Sequence, residues 1–91
     1  MEKFIEKYEV IHDLMDLYEI KIEDGKAIPN DVPDSIIAEN IEEFIEWFVN
    51  SLYCDYSACK DGKEKVKYIT LLYALINIEK AEGYNITTFT E

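Results

Sequence analysis

The feature that most constrains the fold is an apolar run at residues 68–78. Its large apolar residues are Tyr68, Ile69, Leu71, Leu72, Tyr73, Leu75, Ile76 and Ile78. On a helix they cover nearly the whole circumference, and a helix that is apolar all round is a buried one. Asp61 and Glu64 form a capping-box pattern before the run, and Gly83 gives a stop signal after it. The sequence therefore predicts a central helix near residues 62–82.

Two further segments repeat apolar residues at helical spacing. The first, near residues 2–19, has apolar positions at steps of four and three: Phe4, Tyr8, Ile11, Met15 and Tyr18. The second, near residues 34–53, follows Pro33 and has Asp34 or Ser35 as its N-cap. Its apolar face is Ile37, Ile41, Phe44, Ile45, Phe48 and Leu52. The predicted fold is mostly α, a three-helix bundle in which the third helix is the most buried.

Strand signals are weaker than the helix signals. Residues 20–28 permit a short β-hairpin, because apolar and polar residues alternate there around an Asp24-Gly25 turn signal. Residues 85–89 are predicted either to form a terminal strand beside residues 20–22 or to remain a tail.

Length and charge limit the function classes. A chain of 91 residues predicts one domain, residues 1–91. Twenty acids against nine bases give a net charge of −11, which argues against direct binding to nucleic acid or to an anionic membrane. No apolar run predicts a membrane span and no signal segment is predicted, so a cytoplasmic location is expected. Two Cys and one His argue against a disulfide scaffold and a zinc site, and no cofactor is predicted.

The negative charge is concentrated in the middle of the chain. Residues 27–59 contain seven acids and no base, whereas residues 60–91 contain five of each. Four of these acids lie at i, i+3, i+4 and i+7 on the predicted second helix, opposite its apolar face: Glu39, Glu42, Glu43 and Glu46. The predicted partner-binding residues are Asp31, Asp34, Glu39, Glu42, Glu43, Glu46, Trp47 and Asp55. Trp is a favoured anchor in interfaces, and the alternative interpretation of the acids is a solvated outer face.

ExxE spacing suggests metal binding as a further alternative. The pairs are Glu39/Glu42, Glu43/Glu46 and Glu79/Glu82. They resemble the carboxylate motif of the all-α, MazG-like nucleotide pyrophosphohydrolases, which implies Mg²⁺-dependent hydrolysis. The glutamates of the predicted second helix point away from the core face, whereas that family needs them inward. The prediction is therefore no metal site and no enzymatic activity.

Size, charge and amino-acid composition point to an origin and a role. Thirteen Ile, nine Lys and no Arg are typical of an AT-rich genome. The chain resembles the small acidic inhibitors that phages and plasmids encode against host defence, the anti-CRISPR and anti-restriction proteins, and is similar in size and charge to bacterial immunity proteins. The resemblance implies a non-enzymatic inhibitor in the host cytoplasm that docks its acidic helix on a basic nucleic-acid-binding protein. The alternative is a helical interaction module, including one that forms a homodimer.

Overall fold

The computed structural model describes residues 2–32 and 34–84. These residues form four helices, α1 (Glu2–Lys7), α2 (Glu9–Tyr18), α3 (Ile41–Ala58) and α4 (Gly62–Glu82), and two strands, β1 (Ile20–Glu23) and β2 (Lys26–Pro29). The mostly α fold is therefore confirmed, whereas the three-helix bundle is not. By its contacts the chain divides into two units, residues 1–44 and residues 45–91, and the division falls within α3.

The predicted first helix, near residues 2–19, is two helices. Tyr8 has extended backbone angles, φ −125° and ψ 108°, and separates α1 from α2. Phe4 and Ile5 of α1 are buried, as are Ile11 and Leu14 of α2. The prediction of one helix is wrong because the apolar spacing runs across Tyr8 without a change of period.

The predicted hairpin is confirmed. β1 and β2 pair antiparallel around a two-residue turn, in which Asp24 and Gly25 have φ angles of 54° and 74°. Positive φ at both turn residues matches the right-handed twist of the flanking strands. The possible strand at residues 85–89 lies outside the described residues.

The predicted second helix begins later than expected. It starts at Ile41 rather than near residue 34, and it ends at Ala58 rather than near residue 53. The preceding segment instead pairs with β2: the Ala27 N–H donates to the Ala38 carbonyl at 2.9 Å, and the Ile37 N–H donates to the Ala27 carbonyl at 2.8 Å. These backbone groups are therefore used at the edge of the sheet and do not enter the helix.

Both ends of α4 lie where the sequence predicted them. The Asp61 carboxylate accepts a hydrogen bond from the Lys63 N–H at 2.9 Å and caps the first turn. Gly83 adopts the left-handed conformation, with φ 77°, and the Tyr84 N–H donates to the Glu79 carbonyl at 2.8 Å. These bonds satisfy backbone groups that a helix end leaves open.

The prediction that the third helix is the most buried is wrong. The fully buried side chains of α3, each with 0% exposure, are Phe44, Ile45, Phe48, Val49 and Leu52. In α4 the buried side chains are Leu72, Leu75, Ile78 and Glu79. Val66 and Tyr73 on the same helix are more than 60% exposed. Apolar residues therefore surround α4, but only one face of it is buried.

Candidate partner-binding surface

Six predicted partner-binding acids have exposed side chains and are called the acidic surface below: Asp31, Asp34, Glu39, Glu42, Glu43 and Glu46. Asp31 and Asp34 lie in the loop between β2 and α3, and Glu39 lies just before α3. The remaining three are on the first turns of α3. No hydrogen bond or ion pair within the described residues joins Asp31 or Asp34 to the other four acids.

Two of these acids build the start of α3. The Asn40 side chain accepts a hydrogen bond from the Glu43 N–H at 2.9 Å, and the Glu43 carboxylate accepts one from the Glu39 N–H at 2.9 Å. This is a capping-box arrangement, displaced by one residue on the return bond. The Lys26 ammonium lies 4.0 Å from the Glu39 carboxylate, and both side chains are largely exposed. Such a pair contributes little to stability.

The predicted stripe of four acids on one helix is therefore wrong in its geometry. Glu39 precedes α3, so it does not occupy a helical position in register with the others. Glu42 and Glu46 do share one helix face, since residues four apart stand about 5–6 Å apart at Cβ. Glu42 also lies in the first turn, where the helix dipole stabilises a negative charge.

Trp47 and Asp55 are half-buried, unlike the six acids. The Trp47 ring meets the Phe48 ring edge-on, with centroids 5.6 Å apart and an interplanar angle of 74°. The pKa of Tyr68 is raised above its usual range by partial burial and then by the negative charges of Asp55 and Glu64. Asp55 thus belongs to the surroundings of Tyr68, and Trp47 covers part of the α3 core face.

Two features of the structure were missed in the sequence. Glu79 is 95% removed from solvent, at 5% exposure, and its Oε1 has no hydrogen-bond partner within the described residues. Burial raises the pKa of this carboxyl. Its spacing of four from Leu75 and seven from Leu72 places it on their helix face, and this pattern could have identified it. The other feature is a cleft beside β1, whose walls come from three consecutive elements, α1, α2 and β1.

Neither a metal site nor a membrane-spanning helix is found in the described part of the chain. Among these residues, no three His, Cys, Asp or Glu side chains are grouped so that they could hold a metal ion. Cys54 is exposed and Cys59 half-buried, and both are free thiols. No helix among the described residues combines the length and apolar character needed to cross a bilayer.

Comparison with protein-family models, curated proteins and solved structures finds no match to this chain.

Proposed function

We propose that this chain is a non-enzymatic inhibitor of a basic nucleic-acid-binding protein, either a nuclease or a CRISPR or restriction effector. The acidic surface would occupy the partner's nucleic-acid site as a mimic of nucleic acid. The observation that carries the proposal is that all six of its side chains are exposed, in a segment, residues 27–59, that contains no base.

The concentration of one sign of charge is what favours a basic partner. Solubility is well served by mixed charges, so it does not require a segment with acids alone. A surface of one sign attracts an oppositely charged cleft over distance and raises the rate of association.

Within the acidic surface, Glu42 and Glu46 are the acids best suited to contact a partner. Glu43 is engaged in the helix cap, and Glu39 lies beside Lys26. No ion pair within the described residues reaches Glu42 or Glu46, and both are exposed on one face of α3. Trp47 follows Glu46 directly, and the exposed part of its ring supplies an apolar anchor beside these charges.

The decisive experiment distinguishes a specific contribution of Glu42 and Glu46 to binding from the effect of net negative charge. The double variant Glu42→Gln with Glu46→Gln is compared with Glu9→Gln with Asp13→Asn, which removes two exposed acids from α2. Partners are captured from a low-GC bacterial lysate and identified by mass spectrometry, and their affinities for each variant are then measured. We expect the α3 variant to bind at least about tenfold more weakly, a change of about 1.4 kcal/mol, and the α2 variant to bind nearly as well as the parent.

Competition provides the second readout. The protein and the partner's own nucleic acid should exclude each other, and binding should weaken steeply as salt rises through about 0.1 M. A ternary complex, or equal binding by both double variants, would contradict mimicry by α3.

An apolar interaction module, including a self-associating one, is the second candidate. It is favoured by Val66 and Tyr73 of α4, which are 62% and 61% exposed although they are apolar or aromatic. Binding through such residues depends little on salt, so the same titration distinguishes the two candidates.

A further inference from the structure

Among the residues that the structure describes, the hydrogen-bond pattern of the hairpin leaves one edge of β1 open. Glu23 pairs with Lys26 across the two-residue turn, and the Asn30 N–H donates to the Glu19 carbonyl at 2.9 Å at the other end. Hydrogen-bonded and non-hydrogen-bonded pairs alternate along an antiparallel ladder. The peptide groups of Ile20 and Ile22 therefore point away from β2, toward the outer edge of β1.

The opposite edge of the sheet is already occupied. The outward N–H and carbonyl of Ala27 on β2 are bonded by residues 37–38, which add an extended segment to that side. At β1, by contrast, no hydrogen bond from any residue in 2–32 or 34–84 reaches the outward peptide groups of Ile22.

A cleft of about 300 Å³ lies along this open edge. Its lining comes from α1, α2 and β1. The apolar residues of the lining are Ile5, Met15, Ile20 and Ile22, and the polar ones are Glu2, Glu6, His12 and Lys21. The volume is at the lower end of the roughly 300–1,000 Å³ of small-ligand pockets, which suits one or two side chains of a peptide.

We infer that the outer edge of β1 binds an extended segment of a partner protein by strand addition. The segment carries two apolar residues separated by one residue, with a basic residue two positions before and another two positions after this pair. Its backbone bonds the outward peptide groups of Ile20 and Ile22, and its apolar side chains enter the cleft. This site lies in the first unit and does not depend on the proposed function of the acidic surface.

The negative charge of the cleft favours a partner segment with basic residues. Glu2 and Glu6 are both exposed at the cleft, whereas the Lys21 ammonium is held 3.3 Å from the Glu23 carboxylate on the strand itself. Within residues 2–32 and 34–84, no ion pair reaches Glu2 or Glu6, so these two acids set the sign of the cleft. In an antiparallel pair, directly opposite residues have side chains on the same face. The residues opposite Ile20 and Ile22 are therefore the apolar ones. Since side chains alternate between the two faces of a strand, Lys or Arg residues two positions before and after this apolar pair lie on the same face, toward the acids of the cleft.

The probe is the peptide acetyl-Lys-Thr-Val-Thr-Val-Thr-Lys-amide, mixed with the full chain and followed by amide hydrogen exchange in NMR spectra. In the free protein, the Ile22 amide should exchange much faster than the Lys21 amide, which is bonded within the hairpin. Saturating peptide should slow exchange at Ile22 by at least about tenfold. Methylating the backbone nitrogens of the Val residues should abolish binding, whereas methylating those of the Thr residues should not.

Two protein variants test the charge. Glu2→Gln with Glu6→Gln should weaken peptide binding several-fold, whereas Glu9→Gln with Asp13→Asn, which makes the same change in net charge away from the cleft, should leave it intact. Glu42→Gln with Glu46→Gln should also leave it intact, so failure of this site and failure of the acidic surface are separate results.

Three outcomes would overturn strand addition by a partner. Equal loss of binding with either set of methylated nitrogens would show that no ladder forms. An Ile22 amide that is already protected in the free monomer would show that the chain covers this edge itself. Protection that appears only as protein concentration rises would assign the edge to a second copy.

Discussion

Helices α3 and α4 carry similar apolar content but use it differently. In α3 the apolar residues form one face, which is fully buried from Phe44 to Leu52, and the acids of the first turns lie on the exposed side. In α4 apolar residues lie all round, yet Val66 and Tyr73 are exposed and Glu79 is buried. A segregated apolar face therefore identifies a core helix better than the number of apolar residues does.

The largest expected effect tests which helix supplies the core. Phe48→Ala should lower the free energy of unfolding by about 3–5 kcal/mol, because the ring is fully buried and leaves a cavity. Tyr73→Ala should change it by no more than about 0.5 kcal/mol, because the ring is largely exposed. Urea denaturation of the two variants measures both values. A larger loss at Tyr73 than at Phe48 would indicate that α4, rather than α3, supplies the core.

The next effect tests the two faces of α4. Leu75→Ala should cost about 2–5 kcal/mol, since Leu75 is fully buried. Ile76 is half-buried, so Ile76→Ala should cost roughly half as much. Equal losses at both positions in urea denaturation would mean that α4 is buried all round, as its sequence pattern predicts.

A smaller effect tests where α3 begins. Asn40→Ala removes the side chain that accepts from the Glu43 N–H and should cost about 1 kcal/mol. Asp34→Ala should be nearly neutral, because Asp34 lies in a loop rather than at the helix start. Thermal unfolding of the pair distinguishes the observed start from the one that the sequence predicts. A larger loss of stability with Asp34→Ala than with Asn40→Ala would indicate that the helix begins near residue 34.

The last effect depends on pH. Burial raises the pKa of Glu79 above its ordinary value of 4.5, so the folded state holds this proton more tightly than the unfolded chain does. The stability linked to this group is fully present below about pH 4.5 and is lost as pH rises through the folded pKa. Glu79→Gln should therefore melt higher than the parent at pH 7, and this gain should disappear near pH 4.

Glu64→Gln is the matched control for this experiment. Glu64 is an exposed acid in the first turn of the same helix, where the helix dipole stabilises its charge. Its replacement should lower the melting temperature slightly at pH 7, opposite in sign to the Glu79 variant. A gain at pH 7 from both variants would indicate general relief of negative charge instead of burial at Glu79.

The sequence predicted features whose causes lie within a few residues. The ends of α4 follow from Asp61 and Gly83, and the hairpin follows from Asp24-Gly25, since caps and turns are local. The start of α3 was mispredicted because Ala38 pairs with Ala27, and nothing near Ala38 reveals that pairing.

For the candidate site too, local features could be predicted from the sequence, whereas features that depend on long-range pairing could not. The exposure of the acids follows from their charge, but the roles of Glu39 and Glu43 depend on where α3 begins. The cleft at β1 could not be predicted at all, because Glu2, His12 and Lys21 meet there only once the helices and the hairpin are folded. Glu79 differs, because its spacing from Leu72 and Leu75 places it on the buried face of α4.

The two-residue turn at Asp24-Gly25 has a consequence for the order of folding. A hairpin with so short a connection closes a minimal loop and forms within about 1–10 μs in isolated peptides. The contacts between β1 and β2 therefore arise early, whereas the Ala27–Ala38 pairing closes a longer loop. On a growing chain, β1 and β2 can pair as soon as Pro29 has left the ribosome, before any residue of α3 or α4 is available to pack.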